Sequence, residues 1–208
     1  MKKMERELLS EELDREECVD NLKLLSGSEP FTQNGESIGL SVVDFWSFQF
    51  SNILHDPDEI AEFLVAKALG QTRPYNKNSW TLFDILYRNK RIEVKQTAYY
   101  HPFNEPGKLS SVRRFGIQKA KGDDGKLRRQ NDIYVFCLLN GENEESAWPL
   151  EVSHWEFYVI STLVINDTFG EQKTVSLSRI KDLSSPVSYV NLKDAVDSVI
   201  INNNGIKE

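Results

Sequence analysis

Apolar positions along this 208-residue chain recur with two different periods, and each change of period marks an element. Residues 1–26 place sparse apolar positions such as Leu8, Leu9, Leu13 and Leu22 between charges, the pattern of a charged helix. GSEPFTQNGES, residues 27–37, reads as a linker by composition. Ser41 can cap a second helix, VVDFWSFQFSNIL, that ends near Leu54. A third helix is marked at both ends. Asp56 is its N-cap, Pro57 its first residue and Glu59 its capping-box partner; Gly70 stops it after Leu69. The period then falls to two. TLFDILY (81–87) and RIEVKQTAY (91–99) alternate about Asn89-Lys90 and predict a hairpin. NDIYVFCLL (131–139) and WEFYVISTLVI (155–165) predict two more strands. A short strand at Val187–Tyr189 precedes a last helix capped by Asn191. This order predicts an α/β fold with a mixed central β-sheet flanked by helices. Residues 1–36 form a helical appendage and linker, and residues 37–208 form the main domain.

Composition narrows the class. Eleven Phe, seven Tyr and four Trp, with 39% hydrophobic residues, suffice for a folded core. The charged start resembles no signal peptide, and no apolar run approaches the ~20 residues of a membrane helix. Cys18 and Cys137 lie far apart without metal-type spacing, which fits a reduced, cytoplasmic setting. The net charge of −7 opposes indiscriminate nucleic-acid binding, but its distribution is uneven. Residues 88–129 hold twelve Lys/Arg against four Asp/Glu. Within the later part of this block, residues 100–129 show no clear helix or strand pattern and read as a long loop. That loop offers Arg113, Arg114, Lys119, Lys121, Arg128 and Arg129 as contacts for a nucleic-acid backbone.

The candidate chemistry lies on the predicted hairpin. Glu93 and Lys95, two apart on a strand, leave the same face, while Val94 points to the core. With Asn89-Lys90 as the loop, Asp84 falls opposite Lys95 and diagonal to Glu93. Phe83, Ile85, Ile92 and Val94 then form the buried side. On the third helix Glu62 lies among Val65, Ala66 and Leu69, an acid where burial is expected. Two carboxylates and an ammonium group can hold a divalent cation against a phosphate oxygen and orient a water.

The segments AEFLVAKALG, Trp80 to Asp84, IEVKQTAYY and RRQNDIYVFCLL resemble the core of the PD-(D/E)XK nuclease-like proteins of bacteria. The likeness covers about residues 41–200. It implies a restriction-endonuclease-like core and Mg²⁺-dependent hydrolysis of phosphodiester bonds, with Mn²⁺ as a substitute. The metal ligands would be Asp84, Glu93 and the main-chain carbonyl of Val94. Lys95 would orient water or stabilise charge, Glu62 would support the site from the helix, and Gln96 would complete the motif. Phe83 stands where that family often has proline. The implied partner is nucleic acid, DNA ahead of RNA, with no membrane association; a homodimer is compatible with the sequence. The rival reading is a catalytically inactive nucleic-acid-binding or protein-interaction module on the same fold.

Other residues read more simply. His55, His101 and His154 have no ligand spacing, and Cys137 sits in an apolar strand. Trp46, Trp148 and Trp155 read as packing residues. Tyr99, Tyr100 and Phe103 could stack on bases or pack, and Gln118 and Lys119 could face the site.

Overall fold

The structure, a computed structural model, describes residues 25–49, 57–71, 82–100, 113–122, 124–143 and 145–204. The chain divides into two compact units, Met1–Asn52 and Ile53–Glu208. The helix expected over residues 1–26 lies almost wholly outside the described residues, as do Asp56 and the stretch expected to complete the second helix.

The first unit corrects the linker reading. Strands β1 (Pro30–Gln33) and β2 (Glu36–Ser41) form an antiparallel hairpin across residues 34 and 35. Asn34 and Gly35 both have positive φ, 53° and 87°, the requirement of a two-residue turn that matches strand twist. The expected boundary at residue 36 therefore falls inside this hairpin. Helix α1 (Val42–Gln49) follows, and Asp44 accepts hydrogen bonds from the Ser41 N–H (2.7 Å) and Oγ (2.6 Å). Trp46 is exposed here rather than in a core.

The second unit is a mixed α/β fold. Its central sheet has the order β3-β4-β8-β9, with β3 (Ile85–Tyr87), β4 (Lys90–Ala98), β8 (Ile133–Leu139) and β9 (Trp155–Ser161). β4 runs parallel to β8, while β3 and β9 run antiparallel to their neighbours. All seven residues of β8 are buried, as befits a strand covered on both faces. Under one face lie Ile92, Val94, Val135, Cys137 and Phe157, packed with Ala61 and Val65 of α2 (Pro57–Ala68) and Leu192 and Val196 of α5 (Tyr189–Asn204). Under the other lie Tyr134, Phe136 and Tyr158. They pack with α3 (Thr162–Phe169), α4 (Leu177–Leu183), and the pair β5 (Arg114–Gly116) and β10 (Thr174–Ser176).

Local chemistry explains the boundaries. α2 closes in a Schellman arrangement, with Gln71 N–H bonded to Ala66 O (2.9 Å) and Gly70 N–H to Lys67 O (3.0 Å), Gly70 having φ of 80°. The strand expected over 155–165 stops at Ser161, whose Oγ accepts from Val164 N–H and caps α3. α5 starts two residues before Asn191, and Val187 forms only an isolated bridge with Phe157. The hairpin turns on Arg88-Asn89 (φ 50° and 58°) instead of Asn89-Lys90. Arg88 is held in that disfavoured backbone region beside an ion pair to Asp197 of α5 at 3.0 Å. Pairing moves by two residues, so the faces of both strands are kept.

The long basic loop is also corrected where it is described. Residues 114–116 pair with β10, and β6 (Ala120–Lys121) pairs with β7 (Leu127–Arg128). Arg129, 6% exposed, anchors this region. Its guanidinium donates to Ile117 O (2.7 Å), Asn166 Oδ1 (2.6 Å), Gly170 O (3.0 Å) and Gln172 O (3.0 Å). Those donors are spent on protein acceptors, so Arg129 is a structural residue and not the nucleic-acid contact expected of it. Arg129→Ala should lower stability by about 3 kcal/mol, because buried acceptors lose their donors. Urea unfolding of the variant checks this; a change within a few tenths of wild type would contradict the assignment.

Candidate metal centre

β4 brings Glu93 and Lys95 to one face, opposite Tyr134 and Phe136 in the parallel register with β8. The side chains are 19% and 34% exposed, and Lys95 Nζ lies 2.5 Å from Glu93 Oε1. A partly buried pair of this length is a charge-assisted hydrogen bond.

Asp84 stands one residue before β3. Its N–H donates to Ile92 O (3.0 Å), and its Oδ2 accepts from Val94 N–H at 2.7 Å. The carboxylate thus takes the place of a ladder carbonyl where β3 ends. Counted from the Ile85↔Ile92 pair, Asp84 comes level with Glu93. It does not come level with Lys95, as the expected loop required. The residue between Glu93 and Lys95 is therefore the one that Asp84 binds. In an extended strand the N–H and C=O of one residue point to the same side, so the Val94 carbonyl points toward the β3 edge as well.

Electrostatics ties these groups together. Burial alone would lower the Lys95 pKa, but the charge and hydrogen bond of Glu93, then Asp84 and Glu62, outweigh it and raise the ammonium above the usual lysine range. Glu62, half-buried on α2, thus lies within the field of the pair on β4. The Cys137 thiol reports the same acids from the α2 side. Burial raises it well above its ordinary value, and Asp58, Glu62 and Asp84 add to the rise. Three carboxylates act electrostatically on one ammonium, a local excess of negative charge.

The other expected site residues divide. Gln96 leaves the opposite face of β4, level with Cys137, and its buried Nε2 has no hydrogen-bond partner among the described residues. Arg114 and Lys121 are exposed on β5 and β6. Arg128 pairs with Asp124 at 2.6 Å, and Lys119 pairs with Glu171. Gln118 is exposed. Arg113 lies over the Tyr99 ring, 3.7 Å from its centroid. His154 hydrogen-bonds through Nδ1 with Trp148 O (3.1 Å). Phe83, expected in the core, is half-buried with the Arg91 guanidinium 5.6 Å from its ring centre.

One neighbour has no signal in local sequence. Tyr134, 3% exposed, is level with Glu93. Burial first, then the Glu93 carboxylate, push its phenol up to about 12, against the pull of Arg129 and Asn131. Its place follows from a parallel pairing between strands about forty residues apart, which local periodicity does not encode.

Among the described residues no group of three or more His, Cys, Asp or Glu side chains stands in a metal-holding arrangement. The ligands expected from the sequence, the carboxylates of Asp84 and Glu93 and the carbonyl of Val94, are all oxygen donors, the kind a hard divalent cation takes. The Asp84–Val94 hydrogen bond gathers one acid and that peptide at one point. Comparisons with protein-family models, curated proteins and solved structures each find no match.

The raised Lys95 pKa has a stability consequence. Because the shift is upward, the ammonium's contribution is fully present below the usual lysine range and is lost as pH rises through its elevated value. Lys95→Met should therefore cost about 1 kcal/mol at pH 8, given partial solvent screening. The cost should shrink at a pH above the usual lysine range, where wild type loses the same charge. Urea melts of variant and wild type at pH 8 and at such a pH check this; an unchanged cost at the higher pH would contradict it.

Proposed function

We propose that this chain is a Mg²⁺-dependent nuclease that hydrolyses phosphodiester bonds, with DNA as the preferred substrate, on a restriction-endonuclease-like core. One observation carries the reading. A single ammonium, Lys95, sits 2.5 Å from Glu93 and is raised in pKa by Glu93, Asp84 and Glu62 together. A surface ion pair needs one acid, whereas a phosphodiesterase needs a surplus of acids for a cation and a lysine for water or phosphate.

Asp84, Glu93 and the Val94 carbonyl would hold the metal. Bound there, Mg²⁺ would polarise a phosphate oxygen and lower the pKa of a coordinated water. The protein's own groups do the rest. Asp84 is oriented by the Val94 N–H, so its remaining lone pairs are directed before any ligand arrives. Glu93 is oriented by Lys95. Lys95, its positive charge secured by three acids, donates a hydrogen bond to the attacking water or to a phosphate oxygen that gains charge in the transition state. Glu62 stabilises that ammonium from α2.

The rival reading, a silent binding module, has one observation in its favour: Lys95 engages the Glu93 carboxylate directly. In that case the pair is a closed structural bridge and the module binds without cutting. Cleavage separates the readings. With Mg²⁺ or Mn²⁺, the purified chain should nick or cut plasmid, linear or single-stranded DNA. Asp84→Asn, Glu93→Gln and Lys95→Met should each lower the rate at least about 10³-fold. A chain inert on all DNA and RNA substrates, or variants as active as wild type, would overturn the proposal.

A further inference from the structure

Two arginines of the segment 113–129 are treated oppositely by the fold. Arg129 matches its donors to four protein acceptors. Arg113 does not. Its guanidinium carbon lies over Tyr99, 3.7 Å from the ring centroid, and its buried Nε has no hydrogen-bond partner among the described residues. Its main chain is fixed, since the Arg113 carbonyl accepts from Leu177 N–H at 3.0 Å next to the β5–β10 ladder. The side chain is thus held at both ends, by backbone pairing and by an aromatic platform, and the residue stays half-buried, in part open to solvent. A buried donor without an acceptor is costly. A cation stacked on an aromatic ring keeps its in-plane N–H groups for an anion.

The position of the platform gives the ligand. Tyr99 extends β4, with its N–H toward Leu139 O at 3.4 Å. By strand alternation it shares a face with Glu93, Lys95 and Thr97, and it packs with the cluster containing Phe136, the partner of Lys95. Four residues at ~3.3 Å each set Tyr99 about 13 Å from Lys95 along one strand. β5 covers the same face: Arg113 stacks on Tyr99, Phe115 packs on Phe136 at 4.9 Å between centroids, and the Ile117 carbonyl receives Arg129.

We propose that Arg113, seated on Tyr99, is a fixed phosphodiester-binding subsite. It would hold the nucleic-acid backbone a few nucleotides from the bond lying at Lys95, and so set where the strand enters the site. This rests on the nuclease reading and deepens it. It assigns Tyr99 to carrying a cation instead of stacking on a base, and it makes Arg113 a binding and positioning residue, with Lys119 and Arg128 held by their own acids.

The test uses the full chain and a fluorescein-labelled DNA duplex, with Ca²⁺ in place of Mg²⁺, at two or more salt concentrations. Arg113→Ala should weaken binding about tenfold and make the slope of log affinity against log salt shallower by about 0.9, one phosphate contact. Arg113→Lys should keep the slope and lose part of the affinity, because the planar stack is lost and the charge is kept. Tyr99→Leu should likewise weaken binding at unchanged slope. Duplexes carrying one uncharged methylphosphonate at successive positions should show one position, away from the cut, that matters to wild type and not to Arg113→Ala. If wild type binds and cuts while Arg113→Ala matches its affinity and slope, the subsite is wrong and the nuclease reading stands. If wild type binds no nucleic acid, both fall. If Arg113→Lys behaves as Arg113→Ala in slope as well as affinity, the effect is structural and the subsite is overturned.

Discussion

A strand buried on both faces cannot slip by one residue without exchanging its two apolar sets, and β8 is such a strand. Its parallel pairing with β4 therefore fixes which residues of β4 face α2 and α5 and which face β5. Ile92, Val94 and Ala98 go to the helices. Glu93, Lys95 and Tyr99 go to the other side, where the sheet is only partly covered. The two-residue alternation of β4 thus has one half that supplies core and one half that carries charge. Even the position of Asp84 follows from this, since β3 pairs on β4 in a register that leaves the acid level with Glu93 and bonded to Val94.

The charged half would be unstable without its internal balance. Burial works against the Lys95 ammonium, and the charge and hydrogen bond of Glu93, followed by the charges of Asp84 and Glu62, outweigh it. Burial first, then the charge of Glu93, raises the phenol of Tyr134, and burial first, then Asp58, Glu62 and Asp84, raises the thiol of Cys137. A surplus of acids over the one ammonium is the physical basis of the proposal that the site takes a cation, whereas an isolated surface ion pair would contribute little.

Much of this was legible in the sequence, for local reasons. The caps and stop of α2, the alternation about the β3–β4 hairpin and the unbroken apolar run of β8 each write themselves into neighbouring residues. Glu93 and Lys95 share a face by spacing alone. The failures have equally specific causes. The hairpin turned on Arg88-Asn89, both at positive φ, where Arg88 also meets Asp197, over a hundred residues away. That moved Asp84 by two positions without changing its face. The Asn34-Gly35 hairpin was hidden by a polar, linker-like composition. Ser161 ended a run of β-branched residues that otherwise reads as strand. Arg129 looked like one more charge in a basic block, and only the carbonyls that converge on it reveal a buried tie. Tyr134 beside Glu93 depends on a pairing between distant strands, which no periodicity carries.

Whether the acids near Lys95 take up a divalent cation separates a metal site from a closed ion pair. Titration calorimetry of Mn²⁺ and Mg²⁺ into the full chain, with a short duplex present to supply phosphate oxygens, measures this directly. The predicted result is saturable binding that Asp84→Asn and Glu93→Gln each abolish while the variants stay folded. Heats no greater than dilution for wild type up to tens of millimolar metal, or binding unchanged in both variants, would contradict it.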